Sequence, residues 1–205
     1  VHGLPFPREL EKHKNLIVNR ATQMLHTAMT GQNRTERTVI TRLSAGPLLT
    51  KVVDLMESVT KEIGNTPKLC LFSTHDSTMT GVLEALGIWK DEWPPFAANM
   101  RIELYKDMNS PEYYVRILYC GEVQRISSQK EDFMHWNDFR NSIKRFMIRE
   151  AEYWDICSSD ILEKLAKQFL MGQHYLLQNT LGELKTLMIS DLTEIWCFVY
   201  FFFKN

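Results

Sequence analysis

The run Lys68-Leu69-Cys70-Leu71-Phe72-Ser73-Thr74 constrains this chain more than any other stretch. It is short, largely apolar, preceded by the turn formers Gly64-Asn65 and followed by the polar triplet His75-Asp76-Ser77. Such a run predicts a central strand buried on both faces. A helical stretch follows, Thr78 to Leu86, and Gly87 stops it. Strand, polar corner and helix in succession are an α/β signature. In α/β sheets, ligands bind beyond the carboxyl ends of the strands. The corner at His75-Asp76 is therefore where chemistry is expected first.

Composition narrows the alternatives. The chain has 205 residues, 44% hydrophobic and 24% charged, which excludes disordered and collagen-like classes. A count of 24 Lys+Arg against 25 Asp+Glu argues against a protein that coats nucleic-acid phosphates. Cys70, Cys120, Cys157 and Cys197 form neither a CxxC pair nor a zinc spacing. Cys70, inside the apolar run, reads as a buried thiol. Asn33-Arg34-Thr35 is a lone glycosylation sequon. The run Ile195 to Phe203 holds nine apolar residues, against the roughly 20 that a spanning helix needs. Asp191 and Glu194 block its extension backwards, so a buried or aggregation-prone strand is predicted there.

Arg8 to Met29 carries apolar residues at helical spacing, and Gly31 to Thr41 reads as a polar loop. Gly46-Pro47 opens a second helix, whose broad apolar face runs from Leu48 to Ile63. Met100, Ile102 and Leu104 alternate with Arg101, Glu103 and Tyr105, and Tyr113 to Tyr119 is rich in aromatic and β-branched residues. Asn109-Ser110-Pro111 lies between them, which predicts a hairpin, with a short third strand at Val123 to Ile126. Asp132 to Trp154 reads as one helix. From Ser159 the pattern is helical but irregular.

At the corner, the first N–H groups of the following helix have no internal partner and favour an anion such as a phosphate. His75 can donate a hydrogen bond to a phosphoryl oxygen. Asp76, when protonated, can give its proton to a departing alkoxide. Ser77 and Thr78 can cap the helix. The bland alternative is that the whole corner is a cap.

Leu69 to Thr78, with His-Asp followed by a Thr two residues later, resembles the second signature of the histidine acid phosphatases. The flanks agree. Arg42-Leu43-Ser44-Ala45-Gly46-Pro47-Leu48-Leu49 and His2-Gly3-Leu4-Pro5 are similar to further landmarks of that family. The stretch Leu86 to Trp89, Trp93-Pro94-Pro95-Phe96-Ala97 and Glu103-Leu104-Tyr105 resembles the branch that acts on lysophosphatidic acid. The resemblance covers residues 1–157 and leaves 158–205 as an unrecognised helical and apolar tail.

The resemblance implies an α/β fold, the C-terminal part of a histidine-phosphatase-like sandwich, its central sheet bearing helices on both faces. It implies a two-step phosphomonoesterase in which a histidine of an Arg-His-Gly-x-Arg-x-Pro motif forms a phosphohistidine. His75 then completes the phosphate pocket and Asp76 is the proton donor. The implied substrate is a phosphate monoester, a lysophospholipid among the candidates, with no metal or organic cofactor and no nucleic-acid partner. A mitochondrial or a secretory or lysosomal compartment would suit the family.

The nucleophile motif does not occur. None of the six histidines follows an arginine. The chain is therefore expected to be the C-terminal part of such an enzyme, inactive alone, with unpaired edges on its central strand. A catalytically dead truncated form is the alternative. Arg42 is read as a structural residue, with phosphate binding as the rival reading. Trp89, Trp93 and Phe96 read as a rigid packed corner, with a lipid-accepting rim as rival. Arg101 and Glu103 are expected to be ordinary solvated charges.

Overall fold

A computed structural model describes residues 6–126, 129–158 and 196–204, the last by its backbone. A 3-10 turn, Arg8–His13, leads into helix α1, Lys14–Thr30, close to the helix expected there. Helix α2, Arg34–Ser44, replaces the loop expected over 31–41. The cause is local. Asn33 Oδ1 accepts from the backbone N–H groups of Thr35 and Glu36, each at 3.0 Å. The Glu36 carboxylate accepts in return from the Gln32 N–H at 3.0 Å. Such reciprocal capping nucleates a helix by satisfying its orphan donors. The sequon asparagine is thus engaged as a cap. Helix α3, Gly46–Thr60, starts with Pro47 in its first turn and buries Leu49, Val52, Val53 and Met56.

Strand β1, Leu69–His75, passes directly into helix α4, Asp76–Leu86, which Gly87 ends at a left-handed φ of 68°. Strands β2, Asn99–Lys106, and β3, Tyr113–Tyr119, form the expected antiparallel hairpin, with Ile102 opposite Ile117. Strand β4, Glu122–Gln124, lies against β3, slightly before the stretch expected for it. Strand β5, Met134–His135, also pairs with β3. Strand β6, Trp196–Lys204, is the apolar run near the end of the chain. The sheet order is β1-β6-β2-β3-β4. Strand β6 runs antiparallel to β1, with Cys70 opposite Phe201, and parallel to β2, with Ile102 opposite Phe201.

This topology corrects two expectations about β1. It ends the path rather than occupying its centre, and one edge is paired along its whole length. It is also covered on one face only. Cys70 and Phe72 are partly buried against the core, whereas Leu69 is 43% and Leu71 62% exposed. An apolar run shows that both faces can be covered; it does not supply the cover. No described helix packs against the Leu69–Leu71 face.

The core lies on the other face. Met100, Ile102, Leu104, Val115 and Ile117 meet Val52 and Met56 of α3, Met79 and Leu83 of α4, and Phe139 and Ile143 of helix α5, Trp136–Ile143. The α/β class inferred from strand, corner and helix stands. Close approach sets the helix layer. A Cβ built on Gly81 of α4 would sit 2.6 Å from Ser44 Oγ and 3.2 Å from Ala45 Cβ.

The single helix expected over 132–154 is broken into β5, α5, a 3-10 turn at Lys144–Phe146 and helix α6, Glu150–Cys157. Long-range bonds hold the break open. The Thr50 hydroxyl donates to Ile148 O at 3.0 Å and accepts from Ile148 N at 2.9 Å. Arg42 donates to Met147 O from Nε at 3.3 Å and from a terminal nitrogen at 3.2 Å. These backbone groups are satisfied without helix, so the apolar periodicity is overridden. His2-Gly3-Leu4-Pro5 and the helical reading from Ser159 fall outside the described residues, apart from β6.

Candidate active site

His75 is the last residue of β1 and Asp76 the first of α4. His75 is extended, with φ −87° and ψ 163°, and makes no side-chain capping bond. Its place in the strand alternation puts it on the exposed face with Leu69, Leu71 and Ser73. Asp76 is half-buried, and its two carboxylate oxygens have different partners. Oδ1 accepts from the Ser77 backbone N–H at 2.7 Å. Oδ2 accepts from the Trp93 indole N–H, also at 2.7 Å. The Thr80 hydroxyl donates to the Asp76 carbonyl at 2.9 Å. A carboxylate in the first turn is further favoured by the helix dipole.

Two readings change here. Ser77 and Thr78 lie inside the first turn, so they are not the caps; Asp76 itself accepts a first-turn N–H. Trp93 is more than packing, because its indole holds the proposed proton donor. A half-buried tryptophan N–H generally finds an acceptor, but its acceptor 17 residues back in the chain was not signalled by any local spacing. Phe96 of the same segment is 60% exposed.

Arg42 is not beside a phosphate. It bonds Met147 O and pairs with Glu152 at 2.5 Å, tying α2 to α6 and to the segment before it. Its structural reading is the one the geometry supports. Glu103 departs from expectation. It is 1% exposed, not solvated, and its Oε2 accepts from Tyr105 OH at 2.8 Å and Arg116 Nε at 3.1 Å. The cross-strand register places Arg116 opposite it, which satisfies the buried charge.

A second histidine–carboxylate pair lies on the same helix. His26 of α1 bonds Glu84 of α4, Nε2 to Oε2, at 3.1 Å, and Arg37 of α2 approaches the other oxygen at 3.3 Å. The His26 ring stacks on Trp89 with centroids 4.6 Å apart. The His26 hydrogen bond, opposed by desolvation and aided by the charge of Arg37, holds the Glu84 carboxyl below the usual range. Among the described residues no group of three or more His, Cys, Asp or Glu side chains is arranged to hold a metal ion. No described helix is long and apolar enough to cross a membrane. Cys70, Cys120 and Cys157 are free thiols, and Cys70 is half-buried rather than fully so.

The sequence profile of the histidine phosphatase superfamily (branch 2) matches residues 9–120, from the turn before α1 to the end of the β2–β3 hairpin. The chain belongs to this superfamily. Several phosphatases are similar over part or most of it. Mouse (Mus musculus) lysophosphatidic acid phosphatase type 6 is 29% identical over 170 residues, 82% of this chain and 40% of its own length. Human (Homo sapiens) 2-phosphoxylose phosphatase 1 is 41% identical over 81 residues, 38% of this chain and 16% of its own. Bovine (Bos taurus) prostatic acid phosphatase is 34% identical over 83 residues, 40% of this chain and 21% of its own. The chain thus spans at most about two fifths of the length of these relatives. As a histidine phosphatase it presents the corner between β1 and α4 inside the matched region, and β6 outside it.

Proposed function

We propose that this chain is the C-terminal part of a phosphomonoesterase, in which the β1–α4 corner supplies the phosphate-pocket histidine and the proton donor. The observation that carries the reading is the placement of Asp76. Its carboxylate stands at a strand's carboxyl end and a helix's first turn, held on both oxygens, within the matched family region. A histidine nitrogen from the half of the enzyme preceding Val1 attacks phosphorus and forms an N–P bond. The P–O bond to the leaving group breaks, and Asp76 transfers its proton to the departing alkoxide. Water then attacks the phosphohistidine. Asp76, now a carboxylate, takes the proton from that water, and inorganic phosphate and the free histidine are released. His75 donates a hydrogen bond to a phosphoryl oxygen in both steps.

The names of the relatives favour lysophosphatidic acid as the substrate, with 2-phosphoxylose and the phosphate monoesters of a general acid phosphatase as the other candidates. The test is phosphate release by a longer protein that carries an Arg-His-Gly-x-Arg-x-Pro motif ahead of these residues. His75→Ala is expected to abolish turnover and Asp76→Asn to slow it. Unchanged turnover in both variants refutes the site. A substrate panel of the three ester classes then decides specificity.

A second reading has its own observation. No histidine in the chain follows an arginine, so nothing here forms the covalent intermediate. The 205 residues alone are expected to release no phosphate from any of these esters. Release by the isolated chain, lost in His75→Ala, would overturn that reading.

A further inference from the structure

We infer that Trp93 is a positioning residue for Asp76: its indole N–H clamps one carboxylate oxygen and thereby aims the proton donor. The inference rests on the proposed role of Asp76 and adds a residue to it. A carboxylate at the start of a helix has a free rotamer choice unless something removes it. Here each oxygen takes one N–H, from Ser77 on Oδ1 and from Trp93 on Oδ2, both at 2.7 Å. A carboxylate offers about four lone-pair sites. Two are occupied, so each oxygen keeps one for the proton in transfer.

The identity of the clamp matters. An indole N–H is a donor only. It cannot take the proton from Asp76, nor serve as an alternative base, so it orients without titrating.

The mount of the indole is rigid. Asp91 and Ala97 both sit at positive φ, 57° and 58°, on either side of Trp93. For alanine this region costs energy and persists only where the surroundings impose it. Pro94 and Pro95 fix two further φ angles between them. The Ala98 N–H bonds Pro95 O at 3.0 Å, and Ile88 and Ala98 anchor both ends of the segment in the core. A connection built only to join α4 to β2 needs no such constraint. One that must hold an indole against a carboxylate within a few tenths of an ångström does.

The bond is tested first in the full 205-residue chain, by the indole ¹H–¹⁵N resonances of its five tryptophans. Asp76→Ala is expected to move the Trp93 peak upfield and speed its exchange with water, while the folded spectrum elsewhere is kept. Trp93→Phe keeps the aromatic body. It is expected to let the Asp76 χ1 couplings average, where the unaltered chain has one rotamer. An unmoved Trp93 peak, or an unchanged Asp76 rotamer, overturns the inference.

The kinetic arm uses the longer, nucleophile-bearing protein and two substrates. Alkyl phosphates need their leaving group protonated; p-nitrophenyl phosphate releases a stable phenolate. In the phosphohistidine-forming step, read from the burst of released alcohol or phenol, Trp93→Phe is expected to slow the alkyl ester by about tenfold or more and leave the nitrophenyl ester near its original rate. Equal slowing of both assigns Trp93 to structure and overturns the inference. If Asp76→Asn affects neither ester, the proton-donor reading itself has failed. That outcome is distinct, because the NMR arm reads the clamp independently of turnover.

Discussion

Helix α4 carries a carboxylate–histidine pair at each end, and the two pairs are built in opposite ways. Asp76 stands in the first turn beside its chain neighbour His75, which is exposed. Glu84 stands near the last turn, and its histidine, His26, comes from α1, 58 residues away. Asp76 agrees with the helix dipole, which favours negative charge at the N-terminus. Glu84 opposes it, and His26 supplies a compensating hydrogen bond and Arg37 a compensating charge from two other helices. A tryptophan serves each pair, Trp93 by a hydrogen bond and Trp89 by stacking. The pair adjacent in sequence joins an exposed histidine to a half-buried carboxylate. The pair distant in sequence is covered, and it links α1, α2 and α4. Chain adjacency marks the proposed site; spatial closure marks the fold.

The comparison breaks most easily on activity against stability. In the longer protein, Asp76→Asn is expected to lower phosphate release by about 10²–10⁴-fold with the melting temperature unchanged. Equal loss of melting temperature at both ends of α4 would erase the distinction. Glu84→Ala is expected to cost about 1–3 kcal/mol of stability by leaving half-buried donors unpaired, read by denaturant unfolding of this chain.

Acid sharpens the same contrast. The Glu84 carboxyl is held below its ordinary value of about 4.5, chiefly by the His26 hydrogen bond. Its contribution is therefore present in full above about pH 4.5 and is lost as pH falls through the lower folded value. Glu84→Gln is expected to flatten the acid limb of the stability–pH curve, and an unaltered limb would refute the linkage. The smallest effect is expected for Arg37→Ala. Arg37 is 43% exposed, and such pairs contribute about 0–1 kcal/mol. Its loss should shrink further in high salt, as monitored by the melting temperature.

What was legible in the sequence follows the range of the interactions. The β1–α4 corner, the Gly46-Pro47 helix start and the β2–β3 hairpin are encoded within a few residues each, and all stand where expected. Helix α2 was legible in principle, through Asn33 and Glu36 three residues apart, but its polar composition concealed it. The break after Phe146 depends on Thr50, 98 residues away, which no local pattern announces. Glu103 looked like a surface charge because alternation on β2 assigns a face without saying whether that face is covered. Asp76 and His75 are proposed from their position at the corner; the Trp93 contact is not legible there, because the loop that brings it back is set by tertiary geometry.

The place of β6 bears on how the chain is made. Strand β6 fits between β1 and β2, so among the described residues β1 takes its partner from residues 196–204. About 120 residues separate His75 from Trp196, and at roughly 5–20 residues per second the ribosome needs on the order of ten seconds to deliver the missing strand. During that interval the edge of β1 that later receives β6 is unpaired. Until then the β6-facing edge of β1 can pair with another chain, so the order of synthesis sets how long that edge stays open.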